Sequence, residues 1–177
     1  MKYRTFVFIF EDIRLKMKNT TTLDIDTLVV DQDESCKAYW FFMPEKLKKS
    51  GAICTRSMDV IEFIRHGLPY YTVDNIIDRT CVSRKDLSNI LHISVRQMNR
   101  YQPDDLLSAE QSGFVYEFSR IYVRGLDIFG DKETFEKWVQ RPQMALGMQT
   151  PVSLLDTAEG FRIINDLLSQ IEYGFYS

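Results

Sequence analysis

Two groups of side chains in this 177-residue sequence have types and spacings that can do chemistry. The first is basic and amide-bearing: Arg84 and Lys85, then Arg96, Gln97, Asn99 and Arg100. Arginine forms paired hydrogen bonds to guanine, and glutamine or asparagine to adenine, so the later four suit base edges and the earlier pair suits phosphates. Ordinary solvated surface is the alternative. The second group is the chain end, Ile171, Glu172, Tyr173, Gly174, Phe175, Tyr176 and Ser177, whose aromatic residues are of the kind that anchor protein interfaces. Catalytic chemistry is sparse. His66 and His92 are the two histidines, and neither has a nearby Ser, Cys or paired carboxylate in sequence that would suggest a triad. There is no Gly-rich phosphate loop and no HExxH, and Asp104-Asp105 reads as a turn. Cys36, Cys54 and Cys81 are odd in number and far apart, with no CxxC or Cys–His spacing, which suits free thiols in a reducing cytoplasm. Nothing points to an enzyme, a cofactor or a metal.

The first group needs two short helices. Ser83 with Asp86 forms a capping-box pattern that opens a helix with Leu87, Ile90 and Leu91 inward. His92-Ile93 makes a brief turn without the usual Gly. Ser94 with Gln97 opens a second helix, with Val95 and Met98 buried. This is a helix-turn-helix arrangement, whose second helix enters the major groove by its N-terminal half. Ahead of it, Ser57 starts a helix with Met58, Ile61, Ile64 and Leu68 on one side, and Thr72 caps another with Val73, Ile76 and Ile77 inward. After the Gln102–Asp105 loop, Ser108 with Gln111 opens a long helix striped with Phe114, Val115, Phe118, Ile121, Tyr122, Leu126 and Phe129. That stripe is wide enough to pack both its neighbours. Gly125 either permits close helix approach or weakens this helix by ~1 kcal/mol.

The second group ends a further helical region. Asp131 caps a helix with Phe135, Trp138 and Val139 on one face, and Arg141-Pro142 ends it. Thr150-Pro151 restarts structure as a hydroxyl cap with Pro next to it at the first helical position. Phe161, Ile164, Leu167, Leu168 and Ile171 stripe a last helix, and Gly174 stops it.

The chain is 45% hydrophobic and 27% charged, the balance of a soluble globular protein. Net charge is +2 over residues 1–56, −1 over 57–126 and −4 over 127–177, so any DNA contact must come from a local patch. No run approaches a membrane span, and a cytoplasmic location is expected. Lys2 and Arg4 before Phe6–Phe10 outline a leader, but Glu11-Asp12 interrupts the run and no small-residue cleavage site stands close behind it. Tyr3 to Phe10 reads as a strand, and Met17 is a second possible start. The aromatic run Ala38 to Met43 reads as a strand, a core plug, a partner-binding segment or a sticky spot on a disordered arm.

The C-terminal stretch resembles the toxin-binding domain of the Xre/MbcA/ParS-type antitoxins, partners of RES-domain toxins. The residues that carry the likeness are Gly130-Asp131, Trp138, Pro142, Ala145-Leu146-Gly147, Pro151, Leu154-Leu155, Thr157, Gly160 and Ile171-Glu172-Tyr173-Gly174. It departs at Met148-Gln149, where many relatives have a second Gly or a charged residue. Ile64 to Pro69 is similar to the first helix of the same antitoxins, and residues 83–100 to their Xre-type helix-turn-helix. The resemblance implies an all-α fold: an Xre-like helix-turn-helix bundle at 57–129, a small helical toxin-binding domain at 130–177, and an irregular or partly β extension at 1–56. It implies an antitoxin whose C-terminal domain covers the active site of a cognate RES toxin, an NAD-degrading enzyme, and whose helix-turn-helix binds its own promoter as a homodimer. One alternative is a regulator that uses residues 130–177 only for dimerisation. Another is an antitoxin without DNA binding.

Overall fold

The computed structural model describes residues 57–174, of which Ser57 and Met58 by backbone only, together with Lys37, Ala38 and Phe41. Seven α-helices run from Ser57 to Glu172: α1 Ser57–His66, α2 Tyr71–Arg79, α3 Arg84–Ile90, α4 Val95–Met98, α5 Ala109–Phe129, α6 Lys132–Gln140 and α7 Ala158–Glu172. Two 3₁₀ turns, Met144–Leu146 and Pro151–Leu154, lie between α6 and α7. No helix among the described residues is long and apolar enough to cross a membrane. The expected strand at Tyr3–Phe10 and most of the 1–56 extension lie outside the described residues.

The caps explain where the helices begin. Ser83–Asp86 and Ser108–Gln111 form complete capping boxes, and Asp131 accepts from Thr134 N at 2.8 Å. Two expected caps do not form. Thr72 lies inside α2, where its hydroxyl donates to Pro69 O at 2.8 Å, because the chain turns tightly after Pro69 and the helix starts at Tyr71. Thr150 offers only its backbone carbonyl, which accepts from Ser153 N and Oγ at 3.0 and 2.7 Å. Pro151 does stand at the start of that 3₁₀ turn.

Among the described residues one hydrophobic cluster runs from Leu68 and Ile76 through Leu87, Met98, Phe118 and Tyr122 to Phe135, Leu155, Ile164 and Leu168. Helix α5 is its axis and packs against α1, α6 and α7. Of the two readings of Gly125, close approach holds: a Cβ there would sit 2.1 Å from the Phe135 ring of α6. Gly160 plays the same part at the start of α7, where a Cβ would lie 1.6 Å from Leu154 O. The face of α1 is rotated from the expected one. Val60 is 2% exposed while Ile61 is 38% exposed, and Phe63 packs against the core. In the N-terminal extension the backbone of Lys37, Ala38 and Phe41 is helical, not strand. Ala38 is buried, the Phe41 ring lies 5.4 Å from that of Tyr122, and Arg79 donates to Phe41 O at 3.1 Å. At those residues the aromatic run is a core plug.

Candidate functional site

The candidate DNA face is built on the turn between α3 and α4. Leu91 ends α3, and His92 takes φ 52°, the left-handed conformation usually left to Gly. His92 N donates to Asn89 O at 3.1 Å and Ile93 N to Ser88 O at 3.0 Å, the paired bonds of a Schellman stop. The imidazole lies edge-on to Phe114 of α5 at 5.1 Å, which ties the turn to the central helix. A histidine with an aromatic partner therefore does what a glycine does elsewhere.

Ser94 Oγ accepts from Gln97 N at 3.1 Å, but only this half of the expected box forms, and the Gln97 side chain is exposed. Helix α4 is a single turn. Asn99 caps it, and Arg100 and Tyr101 continue in tighter bonds to Gln97 O and Met98 O, so Asn99 and Arg100 lie beyond the helix rather than on it. Pro103 disfavours helix at Gln102, and Tyr101 is stacked on Tyr70 at 4.8 Å, which fixes the exit of the chain. Met98 is buried as expected, whereas Val95 is 37% exposed: a one-turn helix has room for only one inward residue. Lys85, Arg96, Gln97, Asn99 and Arg100 are all exposed. Arg84 is held from within, by Asp74 at 3.4 Å, Tyr70 Oη at 3.4 Å and Asn99 Oδ1 at 3.5 Å. Burial, then the Asp74 charge, pushes the Tyr70 phenol up from its ordinary value.

The second candidate region is the end of α7. Thr157 Oγ1 accepts from Gly160 N at 3.0 Å and starts the helix, and Phe161, Ile164, Leu167 and Leu168 are buried in it. Arg124 of α5 holds the other end. It donates to Asn165 O and Oδ1 at 3.4 and 3.3 Å, to Ser169 Oγ at 2.8 Å and to the Glu172 carboxylate at 3.0 Å. Glu172 is therefore occupied within the fold. Ile171 is half-buried, Tyr173 is 69% exposed, and Gly174 has φ 70°, the left-handed stop that the sequence predicts. Phe175, Tyr176 and Ser177 lie outside the described residues.

Three features escape a pattern-based reading. Glu136 of α6 accepts from the Tyr122 hydroxyl and from Cys81 N at 3.0 Å. Burial foremost, then Glu136, pushes the Tyr122 phenol far up and the Cys81 thiol up to about 11. Arg124 is the second. The hydrogen-bond partners of both are 14 to 55 residues away, beyond the reach of a local pattern. The third is the loop between α6 and α7, where Gln143 N donates to Gln149 O and Met148 N to Gln143 O, both at 2.9 Å. Met148 stands there at φ 63°, the point at which the sequence departs from the antitoxin pattern. A side chain in that conformation costs about 1–2 kcal/mol.

Comparison with known proteins adds family to geometry. Residues 59–120 match the antitoxin Xre-like helix-turn-helix domain, and residues 124–174 match the antitoxin Xre/MbcA/ParS C-terminal toxin-binding domain. The two matches meet within α5. The chain is 32% identical over 116 residues to an Antitoxin Xre of Photorhabdus laumondii, covering 64% of this chain and 78% of that protein. It is 26% identical over 132 residues to an Antitoxin Xre of Yersinia enterocolitica, covering 73% and 89%. A Prs ADP-ribosylating antitoxin of a Sphingobium strain is 25% identical over 130 residues, covering 68% and 82%.

Proposed function

This chain belongs to the Xre antitoxin family, and from that premise we propose that it neutralises a cognate RES-domain, NAD-degrading toxin in the cytoplasm by laying its last residues across that toxin's active-site entrance. The observation that carries this reading is the anchoring of α7. Arg124 fixes Asn165, Ser169 and Glu172, so the chain leaves the fold at one defined place, with Tyr173 outward and Gly174 turning it. Ile171 to Gly174 form the stem, and Phe175, Tyr176 and Ser177 supply the covering contacts. The net charge of −4 over residues 127–177 suits a pocket built for an anionic nucleotide and speeds encounter with it. The Sphingobium relative, an ADP-ribosylating antitoxin by name, gives further support, since ADP-ribosyl transfer and NAD degradation start from the same dinucleotide.

The helix-turn-helix binds the chain's own promoter as a homodimer, two copies meeting two half-sites. Arg96 and Gln97 on α4, with Asn99 and Arg100 beyond it, contact bases, and Lys85 contacts phosphate. The exposure of these side chains supports that assignment. Arg84 positions Asn99 from behind. The test is co-expression with a RES-domain gene, taken from beside this chain's own gene where one stands there, with co-purification and cellular NAD as readouts. A stable complex and preserved NAD are expected. Deletion of residues 174–177 should abolish neutralisation and spare promoter binding. Retained protection after that deletion overturns the covering tail.

A further inference from the structure

We propose that Met144 and Met148 form a second docking surface for the toxin, an apolar patch distinct from the chain end that seats against an apolar surface of that partner. The proposal rests on the antitoxin reading above.

Met144 is 87% exposed and Met148 is 65% exposed. Their loop is held firmly. Gln143 and Gln149 pair across its base, and Gln143 Nε2 donates to Trp138 O and Arg141 O at 3.2 Å each. Leu146, between the two methionines, packs against the core and pins the loop from below. The thioethers therefore face outward on a preorganised support, which lowers the cost of ordering on binding.

Folding gains nothing from this arrangement. Burial stabilises an apolar side chain, and these two are in water. Met148 also stands at φ 63°, where Gly would be free of strain. Strain kept at an exposed apolar residue points to a contact outside the fold. The local charge pattern says which kind. Residues 142–155 hold no charged side chain, the longest such run in the chain, although they lie in its most acidic third. Interface centres are depleted in charge and enriched in methionine, and the flexible, polarizable thioether fits irregular apolar and aromatic surfaces. The patch lies in the middle of the span that matches a toxin-binding domain, 124–174, so the occupant is the toxin and not a second copy of this chain.

The probe is the same RES-domain protein, titrated with the full chain in a calorimeter. Met148→Gly should raise the melting temperature yet weaken binding about tenfold, and Met144→Ser should weaken binding comparably at unchanged melting temperature. A measurement on the unaltered chain accompanies these. Peroxide should oxidise Met144 and Met148 quickly in the free chain and about tenfold more slowly in the complex, while buried Met98 stays slow in both. Unchanged affinity of both variants, with equal oxidation rates in the complex, overturns the patch while the antitoxin reading stands. If the unaltered chain does not bind the probe, that reading has failed and the patch falls with it. Loss of a dimer in light scattering on substitution, with the probe still bound normally, makes the occupant a second copy and also overturns the proposal.

Discussion

Tyr122 of α5 donates its phenolic hydrogen to the carboxylate of Glu136 in α6, and this bond ties the central helix to the helix that follows it. The same carboxylate accepts from Cys81 N and lies 3.8 Å from Lys132. Gln140 adds a bond to Cys81 O at 2.8 Å. Removing the shared acceptor leaves a buried hydroxyl and an amide without it. Glu136→Ala should cost about 2–4 kcal/mol, and Tyr122→Phe, which removes one donor and keeps the ring, about 1 kcal/mol. Urea unfolding of the two variants checks both figures.

The same substitution at two glycines of α5 should have opposite signs. A Cβ at Gly113 meets nothing within 4 Å, so Gly113→Ala should stabilise by about 0.5–1 kcal/mol through helix propensity. A Cβ at Gly125 runs into the Phe135 ring, and Gly125→Ala should destabilise by about 1–3 kcal/mol as α6 is pushed off. Thermal denaturation of the pair reads the contrast directly.

Alkaline pH should loosen the fold before it ionises these groups. Burial raises the Cys81 thiol to about 11 and the Tyr71 phenol to about 12, from ordinary values of 9.0 and 10.0, and raises Tyr122 further. The native state thus keeps protons that the unfolded chain releases. Their contribution is fully present below pH 9 and is lost as pH rises through the native values. Stability measured from pH 7 to 11 should fall above about pH 9, and Cys81 should resist alkylation at pH 8 until the chain is unfolded.

The exposed polar set around α4 should separate by role. Arg96→Ala should cost about 1–3 kcal/mol at one promoter position and relax specificity there, whereas Lys85→Ala should weaken binding to every sequence and lower the salt slope by about 1. Arg84→Ala differs from both: it should lower the melting temperature as well, since its guanidinium is held by Asp74 and Tyr70. Fluorescence anisotropy across a salt series, alongside melting curves, distinguishes the three.

The helices are legible in the sequence because their signals are local. Ser83, Ser108 and Asp131 cap α3, α5 and α6, and the stripe from Phe161 to Leu168 is buried as its period requires. Which neighbour sets the exact face is not local, and so Val60 rather than Ile61 is buried in α1. Val95 misleads for a related reason, since an apolar residue at the right spacing implies burial only if the helix is long enough to offer an inner face. Glu136 and Arg124 look like solvated charges in one dimension. Their work depends on partners brought near by the fold, and the left-handed turns at His92 and Met148 lack the glycine that would have marked them. The sequence leaves several readings open for the run at Ala38 and Phe41, and only the contact with Tyr122 decides among them.

The single hydrophobic cluster has a consequence for the lifetime of the molecule. Side chains of α5 pack into both halves, so opening one side exposes apolar surface of the other. In a chain that unfolds as one unit, the helix-turn-helix and the toxin-binding domain expire together. A protease that captures the open state ends both in the same event.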